Sequence, residues 1–192
     1  MKHFKFALIG ICLATTAVAQ NPKTAITNAA MSLELYESDP SKVNELEKAK
    51  NDIDFAAGHE KTENDPRVWR YRGKIHNKIV FNPALKAKTK DAAIIALNSF
   101  IKAWDLEIAK LSEKGKGASK IPAKVDFKTG FEDACRGLYN SGADAYNAKD
   151  YEFAYNCFMG ILKIKPKTAE GLAKKPVNMI TVTKVDMSLE AK

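Results

Sequence analysis

Apolar residues recur at intervals of three and four along most of this 192-residue chain, the period of an α-helix. Ala25, Ile26, Ala29, Ala30, Leu33 and Tyr36 predict a first helix over 23–37, broken by Asp39-Pro40-Ser41. Asp39 suits an N-cap and Pro40 the first turn of a second helix. That helix runs to about His59, with Val43, Leu46, Ala49, Ile53 and Ala56 inward. Asn64-Asp65-Pro66 repeats the signal before a third helix over 66–80. Asn82-Pro83 interrupts it, and 82–90 reads as a lysine-rich loop with one short turn. A fourth helix starts near Asp91, carries Ala96, Leu97, Phe100 and Trp104, and fades through Ser112. Residues 114–128 hold three glycine or proline breakers and five lysines, the pattern of an exposed linker. A fifth helix is expected over 129–148 and a sixth over 151–165. Nothing before residue 177 alternates like a strand. The predicted class is all-α, six helices in three antiparallel hairpins at about 24–59, 66–113 and 129–165.

The first nineteen residues follow a different logic. Lys2 and Lys5 precede an apolar run from Phe6 to Leu13, and Ala17-Val18-Ala19 stands before Gln20. A basic start, a short apolar stretch and an A-x-A end are the parts of a secretory signal peptide. The run falls short of the roughly 20 apolar residues a spanning helix needs. Cys12 raises the alternative of a lipid-modified cysteine, though bulky Ile11 precedes it. The reading is therefore an exported, periplasmic or envelope-associated chain whose mature domain covers about 20–166, followed by a tail over 167–192. Removing the two signal lysines lowers the formal net charge from +8 to +6. Export turns a basic surface away from nucleic acid and toward acidic proteins, peptides or anionic envelope surfaces.

Residues 138–166 carry the most specific pattern. Ala154 follows Gly142 by twelve residues, Phe158 follows by four more, and Pro166 by another eight. These spacings resemble one tetratricopeptide repeat, in which small residues let two helices approach, an aromatic fills the groove and a proline stops the second helix. Leu138 and Ser141 depart from the usual bulky aromatic and leucine, and Ala145 with Tyr146 stands shifted by one. A second copy begins at Trp69-x3-Gly73, with Ala96 and Phe100 on the partner helix. Its turn has gained eleven residues, since Gly73 and Ala96 stand 23 apart. The first hairpin keeps only Ala49, Ile53 and Ala56. The chain looks like the secreted tetratricopeptide proteins of bacterial envelopes. The resemblance implies a short α-solenoid, a non-enzymatic scaffold for protein or peptide partners, or a structural accessory subunit without a free groove. Three hairpins also meet the usual minimum for a stacked array.

Catalytic chemistry is hard to assemble from these residues. His59 and His76 fall on different helices, with no metal-ligand partner at i+4, and His76 reads as a core residue. Gly115-Lys116-Gly117 follows no strand and lacks the ending of a phosphate loop. No cofactor motif is present. Cys135 and Cys157 sit on facing helices of one hairpin, so an exported chain could bridge them. Two small core thiols are the simpler reading.

Charge changes the picture most. Residues 67–90 hold eight basic residues and no acidic one, while 34–65 hold ten acidic residues against four lysines. Arg67, Arg70, Lys74 and Lys78 fall at intervals of three, four and four, one stripe of the third helix. Trp69, Gly73, His76 and Val80 form the buried stripe beside it. The resemblance implies that Arg70 and Lys74 face a concave groove, joined from the fifth helix by Arg136, Tyr139, Ala143 and Tyr146. Such a groove would hold a peptide carboxylate or acidic side chain. The alternative is a basic face that pairs with the acidic first hairpin. Beyond Pro166, Thr168 to Ala173 reads as the start of another helix that Pro176 ends. Val177 to Leu189 forms a strand-like apolar run that covers the end of the array, docks elsewhere, or belongs to a truncated member of a longer family.

Overall fold

The computed structural model describes residues 21–116 and 124–172. The signal-peptide reading, the strand-like run and part of the expected linker lie outside them. Among the described residues the chain is all-helical: α1 (Pro22–Ser38), α2 (Val43–Ala57), α3 (Pro66–Val80), α4 (Pro83–Lys86), α5 (Ala92–Ser112), α6 (Lys124–Asn147) and α7 (Tyr151–Leu172).

Three of these helices start on the same device, an Asn or Asp followed by proline. Asn21, Asp65 and Asn82 accept hydrogen bonds from the backbone N–H groups of Lys23, Arg67 and Leu85 at 2.9, 3.0 and 3.1 Å. Each satisfies a donor that the first turn leaves orphaned. Asp39-Pro40 has the same letters and a different outcome. Asp39 accepts from both the N–H and the hydroxyl of Ser41, which closes a turn, and α2 starts later at Val43. The short turn expected within 82–90 is α4.

Two other boundaries correct the sequence reading. The expected linker 114–128 ends early, because α6 already begins at Lys124. Phe127 is fully buried, and Phe127, Phe131, Ala134 and Leu138 form one inward stripe. The area they remove from water outweighs the lysines around them. Pro166 does not stop the last helix, which runs through it to Leu172. The residues 168–172 therefore continue α7 and start no new helix.

Helices α1 and α2, α3 and α5, and α6 and α7 pack as hairpins. Each later hairpin rests on the one before: α3 lies against α1 and α2, and α6 lies against α3 and α5. Helix α3 is therefore central, with Val68, Ile75, His76 and Ile79 all fully buried. An aromatic cluster joins α5 to α6. Trp104 meets Phe127 edge-on at 5.3 Å, and Phe127 stacks on Phe131 at 6.3 Å. The ring of Phe100 is held between Gly73 of α3 and Gly130 of α6, and a Cβ on either glycine would collide with it. The close approach expected between glycine and alanine is thus filled by the aromatic four residues beyond the alanine. Gly142 and Phe158 repeat this contact in the last hairpin.

Candidate protein-binding cleft

Helix α3 projects its basic stripe toward two acidic neighbours. Lys74 Nζ lies 3.0 Å from Asp126 of α6, and Arg70 Nε lies 3.9 Å from the same carboxylate. Lys78 Nζ pairs with Glu37 of α1 at 2.8 Å. Glu37, Lys74, Lys78 and Asp126 border a cleft of about 180 Å³ between α1, α3 and α6, lined further by Asn77, Phe100, Thr129, Gly130 and Asp133. That volume is below the range of small-molecule pockets, about 300–1,000 Å³, and suits one side chain or a short run of peptide backbone.

Asn77 forms part of the cleft floor. Its Nδ2 donates to the carbonyl of Gly130 at 3.0 Å, which fixes the orientation of the amide. Its Oδ1 is buried and has no hydrogen-bond partner. An unsatisfied buried acceptor costs about 1–3 kcal/mol.

The other expected groove residues are dispersed. Arg67 curls back on Asp65 at the start of α3, with a shortest N···O distance of 2.6 Å. This hydrogen bond holds its guanidinium pKa above the ordinary value. Arg136 pairs with Asp133 at 2.6 Å and stacks over the ring of Phe81, so it stands at the cleft's edge. Tyr139 and Tyr146 are exposed but turn toward α7, where they meet the rings of Phe158 and Tyr151. They do not line the cleft. The structure thus brings Arg70, Lys74 and Lys78 together, with Arg136 beside them.

Sequence reasoning missed Glu37, Asn77, Asp126, Thr129 and Asp133. Asp126 was hidden inside the expected linker. The spacing of Phe127, Phe131, Ala134 and Leu138, at intervals of four, three and four, was the signal that extends α6 far enough to include it.

The rest of the basic block stitches the hairpins together. Lys88 reaches Glu47 of α2 at 3.3 Å, Lys86 reaches Asp144 of α6 at 2.6 Å, and Lys90 pairs with Asp150. More buried is the contact at the α2–α3–α5 junction. Asp54 accepts from Arg72 at 2.7 Å and Lys50 at 2.9 Å, and its Oδ1 lies 3.3 Å from His76 Nε2. Arg72 also donates to the hydroxyl of Ser99 at 3.3 Å. Burial pushes the carboxyl of Asp54 up, but the bonds from His76, Arg72 and Lys50 outweigh it and hold it far below the usual carboxylate range. His76 itself is fully enclosed, the core position expected of it.

Cys135 and Cys157 are both free thiols. Burial, with Glu132 near the first and Asp150 near the second, pushes each up to about 11. Among the described residues no three His, Cys, Asp or Glu side chains gather as a metal site. No described helix is long and apolar enough to cross a membrane. In comparison with known proteins, no family model, curated protein or solved structure matches the chain.

Proposed function

We propose that the protein is a non-enzymatic, tetratricopeptide-like scaffold that binds a protein or peptide partner outside the cytoplasm. The observation that carries the reading is the cleft between α1, α3 and α6. Two lysines, Lys74 and Lys78, stand on its walls, each beside a carboxylate of the same chain. A carboxylate of a partner that lies in it takes Lys74 or Lys78 in exchange for Asp126 or Glu37. Because these lysines already hold carboxylates of their own chain, charge alone gives little affinity. A partner that adds other contacts to one acidic group fits better than a uniformly acidic one. Arg70 and Arg136 flank the site. The export part of the reading rests on the residue pattern of Lys2 to Ala19.

The test is affinity capture from the native envelope by the wild-type chain and by a Lys74→Met/Lys78→Met variant. The reading expects one discrete partner whose recovery falls at least tenfold with the variant, while the helical signal is unchanged. Equal recovery by both proteins rejects the cleft as the binding surface.

A second reading, a structural accessory subunit of an envelope complex, is favoured by a different observation. The outer face of α6 and α7 exposes several large apolar side chains, the kind of surface that assemblies cover.

A further inference from the structure

Among the described residues, the stack of hairpins is open at both ends. Helices α3 and α6, the first of the second and third hairpins, each pack on the hairpin before them. Phe100 shows what that packing completes. Its ring rests on Gly73 of its own hairpin, the next hairpin covers it with Gly130, and it is 0% exposed. Phe158 rests on Gly142 in the same way, but no described helix covers its other side, and it is 37% exposed. Around it Tyr139 and Tyr146 of α6 and Tyr151, Tyr155 and Leu162 of α7 are all at least 48% exposed. On α7, residues 151, 155, 158 and 162 form one stripe that carries no charge.

The opposite end carries the other half of such a contact. Helix α1 is the first of its hairpin, as α3 and α6 are of theirs, and among the described residues no hairpin precedes it. Ala25, Ala29, Leu33 and Tyr36 are buried and take the side of α1 that meets α2 and α3. Thr24, Asn28, Met31, Leu35 and Ser38 recur on the far side at intervals of four, three, four and three, again without a charge. Met31 is 59% exposed and Leu35 45%. At about 1.5 Å per residue this stripe is about 21 Å long and the one on α7 about 17 Å, so one can lie along the other. Joining them removes no ionised side chain of either stripe from water, which avoids the largest cost of surface burial.

We propose that the outer face of α6 and α7 receives α1 of a second copy of this chain, which continues between chains the packing that α3 and α6 make within one. The occupant is a second copy because every chain carries both halves of the contact, and because the junction at Phe100 is the interface that it extends. The two halves are different surfaces, so the contact is heterologous and each copy added leaves a new free end. It uses side chains other than those of the cleft between α1, α3 and α6, and so stands independently of partner binding there.

The experiment is sedimentation equilibrium of the protein as purified from cells that make it. Its weight-average mass is expected to rise at least twofold between about 1 μM and about 1 mM, a span that covers weak and moderate affinities. Met31→Asp/Leu35→Asp on α1 and Tyr155→Asp/Leu162→Asp on α7 change only exposed side chains. Each variant alone is expected to stay monomeric with an unchanged helical signal. Mixed in equal amounts, the two are expected to form a one-to-one dimer and nothing larger, since each retains the half that the other lacks. Alanine in place of either pair is expected to weaken association at least tenfold, which keeps the test in force should an aspartate variant lose its fold. Wild type that stays monomeric across the range overturns the proposal. An α1 variant that still self-associates, or a mixture of folded variants that does not dimerise, also overturns it, because either assigns the aromatic face to something other than α1.

Discussion

Gly73 and Phe100 touch so closely that a Cβ on the glycine would lie 2.7 Å from the aromatic ring. Phe100 cannot retreat, because Gly130 closes its other side. Over-packing of this kind costs about 1–3 kcal/mol, against about 1 kcal/mol that alanine gains over glycine inside a helix. Gly73→Ala and Gly130→Ala are therefore expected to lower stability in urea unfolding. Gly142→Ala meets Phe158, a ring open on one side, and the Cβ of Cys157 at 3.1 Å, and is expected to cost less than either. Phe100→Ala is expected to cost about 3–5 kcal/mol, the largest loss of the set.

The Asp54 cluster predicts a specific response to acid. Its carboxyl titrates lower in the folded chain than the unfolded value of about 3.9. The stability it contributes is thus fully present above that value and is lost as pH falls through the folded one. Asp54→Asn is expected to lower stability at pH 7 by about 1.5–3 kcal/mol, the range for hydrogen bonds to a charged group. The difference from wild type is expected to shrink steadily from pH 4 to pH 2. Thermal unfolding across that range checks it, and a constant difference would exclude the cluster as the cause.

The two thiols are expected to be inert. With pKa values near 11, roughly one molecule in a few thousand carries a thiolate at pH 7.5. Labelling by a disulfide reagent is expected to be slow in the native chain and complete on unfolding. Half-buried Cys135 should react before buried Cys157.

Arg70 and Lys74 share Asp126, so reversing both charges would gather three carboxylates. That change is expected to disturb the α3–α6 contact as well as binding. Neutral substitutions separate the two effects. Lys74→Met is expected to change stability by less than about 1 kcal/mol, the usual worth of an exposed pair. Chemical unfolding of the single variant measures this directly.

The helices were legible where apolar spacing was clear, as at α1, and best where an Asx-Pro start agreed with it, as at α3. They were misread where local composition and tertiary burial disagreed. The glycines and lysines of 114–128 signal a loop, yet Phe127 belongs to the aromatic core, and that is visible only once Phe100 and Trp104 lie opposite it. Pro166 signals a stop, yet the chain passes through it. At the cleft, the basic stripe of α3 could be read from its period. Its acidic partners could not, because Glu37 stands 41 residues from Lys78 and Asp126 stands 52 from Lys74, and only the packing of α1 and α6 on α3 brings them there. The asymmetry between basic 67–90 and acidic 34–65 was legible, and Lys78–Glu37, Arg72–Asp54 and Lys88–Glu47 account for part of it.

The central claim is that a partner lies in the cleft between α1, α3 and α6. A photo-crosslinking residue at Thr129, exposed on the cleft wall, tests it against the same residue at Lys102, exposed on α5. In cells that produce the protein, position 129 is expected to yield one discrete cross-linked product and position 102 none. Equal products from both positions, or a product from 102 alone, would contradict the claim.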